Sequence, residues 1–555
     1  MGNKYRADSP GSDGGTRAEH ANRDDGTDDA VRGRADRTVQ DAIADATTRT
    51  DTSGDVDESE LPTVAADSAL NDIEIGDELD DFEVFVVGGA VRDDLREGDR
   101  PPDDIDLMAV PRPEAEIDDP VDELDDRDRL RTVDAEDAFP VFLDSKGREV
   151  ALPRTEESTG AGFKAFNVTL VSPDTPVEEA VSTDLERRDL RYNALAYNPE
   201  SGELHDPHGG REDLRDGRVR HVSEAFAEDP VRVLRMSRFA ARFDHDVDED
   251  TRVLAREVAP DLEAVPGDRT RMEMEKAFKQ ADDPRRFFDE ARKVGALRVA
   301  LPEVESLAAD SSDERAGIAV ESDTGAAADT ATGAAAATGT ETGDGDDGGT
   351  RADRADSADG ADAYERTMET ISTVHEYSPN DRGGMFAALG RHMGESSPDD
   401  PGTDAGAGAD DDTEVGERSI RGLADRVGMD GEAERTMLAS HRLGNDVDAL
   451  GSDDVEDEEV VGLVERLDGD RTGMYTPETA IDVASVNDDF DRERAERRVE
   501  RARDAIESVD GGTVFQAEDL SPEDIGEDGE LTGAEFGDLI DRYRVEEYGR
   551  RDESE

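Results

Sequence analysis

The stretch VFVVGGAVRDDLREGDRPPDDIDLMAV, residues 84–110, decides the fold. The apolar run beginning at Phe82 reads as a buried strand, and Gly88-Gly89 ends it in a turn that opens a helix. Backbone amides at a glycine pair approach a polyanion closely, and the following helix N-terminus favours negative charge. Arg92, three residues beyond Gly89, is spaced to fork onto a phosphate. Asp104-Ile105-Asp106 comes next, and strand alternation sets both carboxylates on one face with Ile105 on the other. Two convergent carboxylates suit Mg²⁺, as phosphoryl and nucleotidyl transfer require. A glycine pair alone is a tight turn, and one Asp-x-Asp in so acidic a chain means nothing. Their order carries the weight.

Downstream, short β-rich runs (AFPVFLD, REVAL, FNVTLV) mix with the helical RDLRYNALAYN up to about Val222, which predicts an α/β or α+β domain on a small sheet. Helical stretches follow: SEAFAEDPVRVLRMSRFAARF, with Ser223 as a possible N-cap and Pro230 marking a second start, then RTRMEMEKAFKQ and DPRRFFDEARKVGALRVAL. These readings divide the chain into an acidic, disordered segment (1–78), a head (79–222) and a helical neck (223–306). Beyond them come a low-complexity linker (307–362), a helical segment (363–394), a second linker (395–416) and a helical tail (417–555).

The 555 residues hold 146 acids against 64 Lys and Arg, a net charge of −82, with only 34% hydrophobic and 4% aromatic residues. Cores must therefore be concentrated in particular stretches. There is no cysteine, which excludes disulfides, thiolate zinc sites and Cys nucleophiles. No apolar run approaches a membrane span, and the N-terminus lacks an apolar signal core, which points to the cytoplasm. The acids run from end to end and the bases are nearly all Arg, a surface suited to molar salt, where the Debye length is about 3 Å. Net charge therefore does not exclude a nucleic-acid partner.

The order strand, GGAVRD, helix, DID resembles the head domain of the tRNA nucleotidyltransferase/poly(A) polymerase family, the class with bacterial-type (class II) CCA-adding enzymes. The likeness continues through TDLERRDLRYNALAYNPESGELHDPHGGREDL (183–214), AFAEDPVRVLRMSRFAARF (225–243) and the stretch 269–304. It implies an α+β fold, with a polymerase-β-like head on a small sheet followed by all-helical neck and tail domains. Residue by residue, it assigns Gly88, Gly89, Arg92 and Asp93 to the nucleotide's phosphate turn, and Asp104 and Asp106 to Mg²⁺. Glu149 matches a third catalytic carboxylate, though it reads equally as a solvated strand residue. Arg188 matches a phosphate contact, Asn193 a ribose-side contact, Asp229 and Arg232 a base-reading pair, and Arg235 and Arg238 further nucleotide contacts.

The residues of that helix agree. Arg232, Arg235, Arg238 and Arg242 form one stripe and Val233, Met236, Ala240 and Phe243 another, and no acid interrupts 231–242. A carboxylate accepting from an exocyclic amine and a guanidinium donating to a ring nitrogen would take cytosine and adenine alone. Uracil and guanine would leave buried polar groups unpaired, at about 1–3 kcal/mol each.

The implied activity is template-independent addition of C and A to a tRNA 3′ end from CTP and ATP. Poly(A) polymerase or A-only or C-only tailing is the nearest alternative, and a non-catalytic RNA-binding relative a more distant one. The tail departs from the family's phosphohydrolase-bearing members. Glu365 stands at the first His position and His392-Met393 replaces His-Asp, a degenerate HD-like segment that argues against hydrolase activity. His375 and His392 read as surface or packing residues. The closing GAEFGDLIDRYRVEEY resembles the family's terminal helix, and the span from Arg92 to Asp104 predicts an extended loop.

Phosphate contacts lose most of their counterion-release advantage in molar salt. Titrating tRNA binding against KCl above about 1 M should accordingly give a shallow slope, and a steep loss of affinity would contradict this reading.

Overall fold

The structure is a computed structural model that describes residues 58–97, 104–133, 140–158, 166–308, 363–394, 409–469, 471–518 and 532–552. Two compact units divide the chain, Met1–Glu60 and Leu61–Glu555. Of the first, only a single 3-10 turn, Glu58–Glu60, is described. The low-complexity linker, most of the N-terminal segment and the loop expected between Arg92 and Asp104 lie largely outside the described residues.

The head is built on β1 (Phe82–Val87), β2 (Asp106–Pro111), β3 (Arg131–Val133), β4 (Val141–Leu143), β5 (Glu149–Ala151), β8 (Ala196–Asn198) and β9 (Glu203–His205). They form one mixed sheet in the order β3-β4-β5-β2-β1-β8-β9, with β2 and β5 parallel and the other neighbours antiparallel. A separate hairpin joins β6 (Arg154–Ser158) to β7 (Phe166–Leu170).

The central strands are apolar through Val84–Val87 and Leu107–Val110 because both faces of the sheet are covered there. Phe82, Val84, Val86, Leu107 and Ala109 pack on one side with α1 (Gly89–Glu97), against Ala90 and Val91. Phe85, Val87, Met108 and Val110 pack on the other, against Ala180, Val181 and Leu185 of α2 (Val177–Glu186).

Two expected boundaries move. Residues 61–79 belong to the head: Leu70 and Leu79 are fully buried under the sheet, and Val64, Ile73 and Ile75 pack against the same core. Ser68 caps the 3-10 turn Ala69–Asp72 and donates to Asp94 of α1, so a segment with acidic composition is still held by a few apolar anchors. The neck and tail are not separate packed units either. A single apolar core runs from Leu190 through α3 (Val231–Phe243), α4 (Gly267–Gln280) and α5 (Arg285–Lys293) to Tyr548 in the closing helix Gly533–Asp552. Phe278 of α4 meets Phe386 of the tail edge to face at 5.7 Å. β10 (Arg218–Val219), at the end of the head, pairs in parallel with β11 (Asp246–Val247) of the neck, where an all-helical region was expected.

Replacing Leu70 by Ala should cost about 2–4 kcal/mol, read as a lowered denaturation midpoint in molar KCl. A midpoint equal to wild type would return residues 61–79 to the unstructured segment.

Candidate active site

Asp106 opens β2, and its neighbours show which way it faces. Leu107 and partly buried Ile105 pack on the α1 side of the sheet and Met108 on the α2 side, so Asp106 shares the α2 side with Met108. In register Asp106 stands beside Val87 of β1 and beside Glu149 of β5, whose neighbour Val150 points to the opposite core. Asp104, Asp106 and Glu149 are all exposed. Crowding by the surrounding protein raises the Asp106 carboxyl above the ordinary range, repulsion from Asp104 and Glu149 adds to this, and Arg188 opposes it. Asp106 is thus within Coulomb reach of both Asp104 and Glu149.

Among the described residues no group of three or more Asp, Glu or His side chains is placed to hold a metal ion between them. Mg²⁺ does not ask for one. It binds through one or two carboxylates and fills its octahedron with water and substrate phosphate, so these hard, mutually repelling oxygens fit it.

Gly88 follows β1 at φ +72°, a left-handed conformation that glycine adopts without strain. A Cβ there would lie 2.7 Å from Nη1 of Arg188, so the glycine admits this guanidinium beside the turn. Arg188 is braced by Asp184 at 3.3 Å and by the Asn193 carbonyl at 3.4 Å, while its buried Nε has no hydrogen-bond partner. Gly88, Arg188 and Asp106 therefore share one corner of the head.

Arg92 is placed differently from the expectation of an open phosphate ligand. It is buried, donating to Asn193 Oδ1 at 2.5 Å and to both oxygens of Asp93 at 2.8 and 2.9 Å, with its guanidinium 4.9 Å from the ring centre of Phe239 in α3. Asp93 also accepts from Arg242 of α3 at 3.2 Å. Against the cost of burial, the two arginines hold the Asp93 carboxyl below its usual range. This cluster ties the head to the neck.

The basic stripe of α3 is likewise not an open face. Arg235 donates to Asp189 at 2.7 Å, Arg238 to Glu273 at 2.5 Å and Gln280 at 3.1 Å, and Arg232 to the Ala225 carbonyl. Arg232 and Arg238 are buried. Asp189 was missed in the sequence, although it lies in the Arg-Arg-Asp run. It accepts from Asn193 at 2.9 Å as well as from Arg235, and despite burial these partners hold its carboxyl far below the ordinary range. Glu273 and Arg269 were also missed. Arg269 grips Asp229 with both terminal nitrogens, at 3.0 and 2.7 Å.

In the tail, Glu365 accepts from Arg285 of α5 at 2.6 Å, an ion pair rather than a metal position.

Residues 84–220 match the family described as Poly A polymerase head domain, and residues 245–307 that described as "Probable RNA and SrmB- binding site of polymerase A". Head and neck thus each carry one of the two domains that these models describe. A multifunctional CCA protein of Nitrosococcus oceani is 43% identical over 229 residues, 41% of this chain and 52% of that protein. A CCA-adding enzyme of Pseudomonas entomophila is 42% identical over 232 residues, 41% and 57% of the two. The chain thus spans about half the length of the curated relatives it matches. Among solved structures, a CCA-adding enzyme in an apo form superposes with TM-score 0.52 at 17% identity, covering 86% of this chain and 89% of that one. The Thermotoga maritima CCA-adding enzyme complexed with tRNA_CCA gives 0.50 at 19%, covering 84% and 87%. These two share the fold, a nucleotidyltransferase head followed by mostly helical regions.

One buried acid near the site titrates near neutrality. A Cβ at Gly210 would collide with the carbonyl of Arg191, in the turn that carries Asn193, and the helix that Gly210 starts holds fully buried Asp213, 3.2 Å from Arg220. Burial pushes this carboxyl up to about 7. The folded chain then binds a proton that the unfolded chain releases near pH 4, so this group's contribution to stability falls as pH rises from about 4 to about 7. Asp213→Asn should remove the loss. Its stability advantage over wild type should grow across that window to on the order of 2–4 kcal/mol and stay flat above it, and denaturation at several pH values checks the difference.

Proposed function

We propose that this chain is a template-independent nucleotidyltransferase that adds C and A to the 3′ end of tRNA from CTP and ATP, with release of pyrophosphate. The observation that carries the proposal is the register of Asp106 beside Glu149, with Asp106 repelled by both Asp104 and Glu149, next to the corner made by Gly88 and Arg188. The curated relatives' names and the match to both family regions support it further.

Asp104 and Asp106, with Glu149 alongside, would hold Mg²⁺, which when bound acidifies the attacking 3′-hydroxyl and neutralises charge on the departing pyrophosphate. The tRNA 3′-oxygen forms a bond to the α-phosphorus, the bond from that phosphorus to the α–β bridging oxygen breaks to release pyrophosphate, and the hydroxyl proton passes to solvent. Arg188 and the amides at Gly88-Gly89 hold the triphosphate in line. Asp229 and Arg232 read the amine and ring nitrogen of cytosine or adenine. Arg92, Asp93, Asn193, Asp189 and Arg235 keep the nucleotide's two walls, head and α3, in fixed relation. The terminal helix offers a contact for the body of the tRNA.

Incubating the full chain in molar KCl with tRNA lacking its 3′ end, and with each nucleoside triphosphate in turn, tests the proposal. Incorporation of C and then A is expected. A long A-homopolymer without C would favour the tailing activity instead. Asp106→Asn should lower transfer by a thousandfold or more, on the order of 4 kcal/mol of transition-state stabilisation, while tRNA binding persists. Transfer at the wild-type rate would refute the metal-binding role of Asp106.

A further inference from the structure

The base-reading role of Asp229 raises a question of geometry, because its carboxylate is already occupied. Oδ1 accepts from Arg269 Nη1 at 3.0 Å and from the backbone N–H of Val231 at 3.2 Å, and Oδ2 accepts from Arg269 Nη2 at 2.7 Å. A carboxylate has about four acceptor positions. Three are in use, and the remaining one is on Oδ2. The pair is a planar two-pronged contact, which fixes the orientation of the carboxylate as a single bond would not. Asp229 and Arg269 are each about three-quarters buried, with side-chain exposures of 22% and 25%, so the pair is still partly open to solvent. Arg269 lies in the first turn of α4 and Asp229 just before α3, two elements that also meet through Arg238 and Glu273.

We propose that Arg269 is a specificity-determining positioning residue: its fork locks Asp229 so that one oriented acceptor is left for the exocyclic amine of an incoming base. This rests on the nucleotidyltransferase reading above. Cytosine and adenine donate an N–H to that acceptor. Uracil and guanine bring a carbonyl oxygen to the same place, and a carboxylate pinned by Arg269 cannot swing away to relieve the oxygen–oxygen repulsion. Arg269 touches neither the base nor the reacting atoms.

The test compares wild type, Arg269→Gln and Arg269→Lys as full chains in molar KCl, measuring kcat/KM for CTP and for UTP on tRNA lacking its 3′ end. Gln cannot form the fork, and Lys keeps the charge without it. The CTP:UTP preference should fall at least about tenfold in Arg269→Gln, with a raised KM for CTP, and Lys should restore only part of the preference. A thermal melt shows whether each variant is folded, and if Gln fails to fold, the Lys variant alone decides through the same ratio. A folded variant with lowered stability but an unchanged CTP:UTP ratio would overturn the inference and leave the proposed activity standing. A wild-type chain that transfers neither nucleotide would overturn both.

Discussion

Val87 lies beside Asp106, and Asp106 beside Glu149, because three short strands pair in one register with β2 and β5 parallel. A slip of one residue would turn both acids into the apolar core and bring Leu107 and Val150 to the cleft. That slip is opposed by the apolar side chains on both faces of the sheet, so the packing that holds the head together also aims the carboxylates. Their mutual repulsion is the cost of that aim. Arg188, admitted by the missing side chain at Gly88, offsets part of it.

Beyond the sheet, short ion pairs organise the molecule. Arg92, Arg235, Arg238, Arg242 and Arg269 each find an acid within about 3.2 Å, and most of these contacts join elements distant in sequence. Contacts of this length survive in concentrated salt, where fields from farther charges are screened away. Guanidinium suits the task better than ammonium. It is planar, forks onto carboxylates and stacks on rings, as Arg238 does on Phe239 at 4.1 Å and Arg96 on Phe243 at 4.4 Å. The preference for Arg over Lys in the composition therefore has a structural use as well as a surface one.

Much of this was legible in the sequence where the signal is local. The run through Gly88-Gly89 gave strand, turn and helix, and the acid-free window gave α3, whereas the strand expected through Asp104-Ile105-Asp106 begins only at Asp106. What escaped depends on contacts through space. The basic stripe of α3 looked like an open surface because its partners, Asp189 and Glu273, lie 46 and 35 residues away. Leu70 looked like part of a disordered segment because a few apolar anchors among acids leave no periodic pattern. The common core of neck and tail was hidden by the low-complexity stretch between them.

That stretch leaves and returns at nearly one point. The N–H of Tyr364 bonds to the carbonyl of Leu307 at 3.0 Å, on either side of residues 309–362, so the two ends form a clamped stem. Once a stem is closed, doubling the length of the chain it spans costs only about 0.6 kcal/mol of closure entropy. Drift in length and composition there is close to thermodynamically neutral, which lets a lineage expand, shorten or replace this excursion without disturbing the helices that flank it.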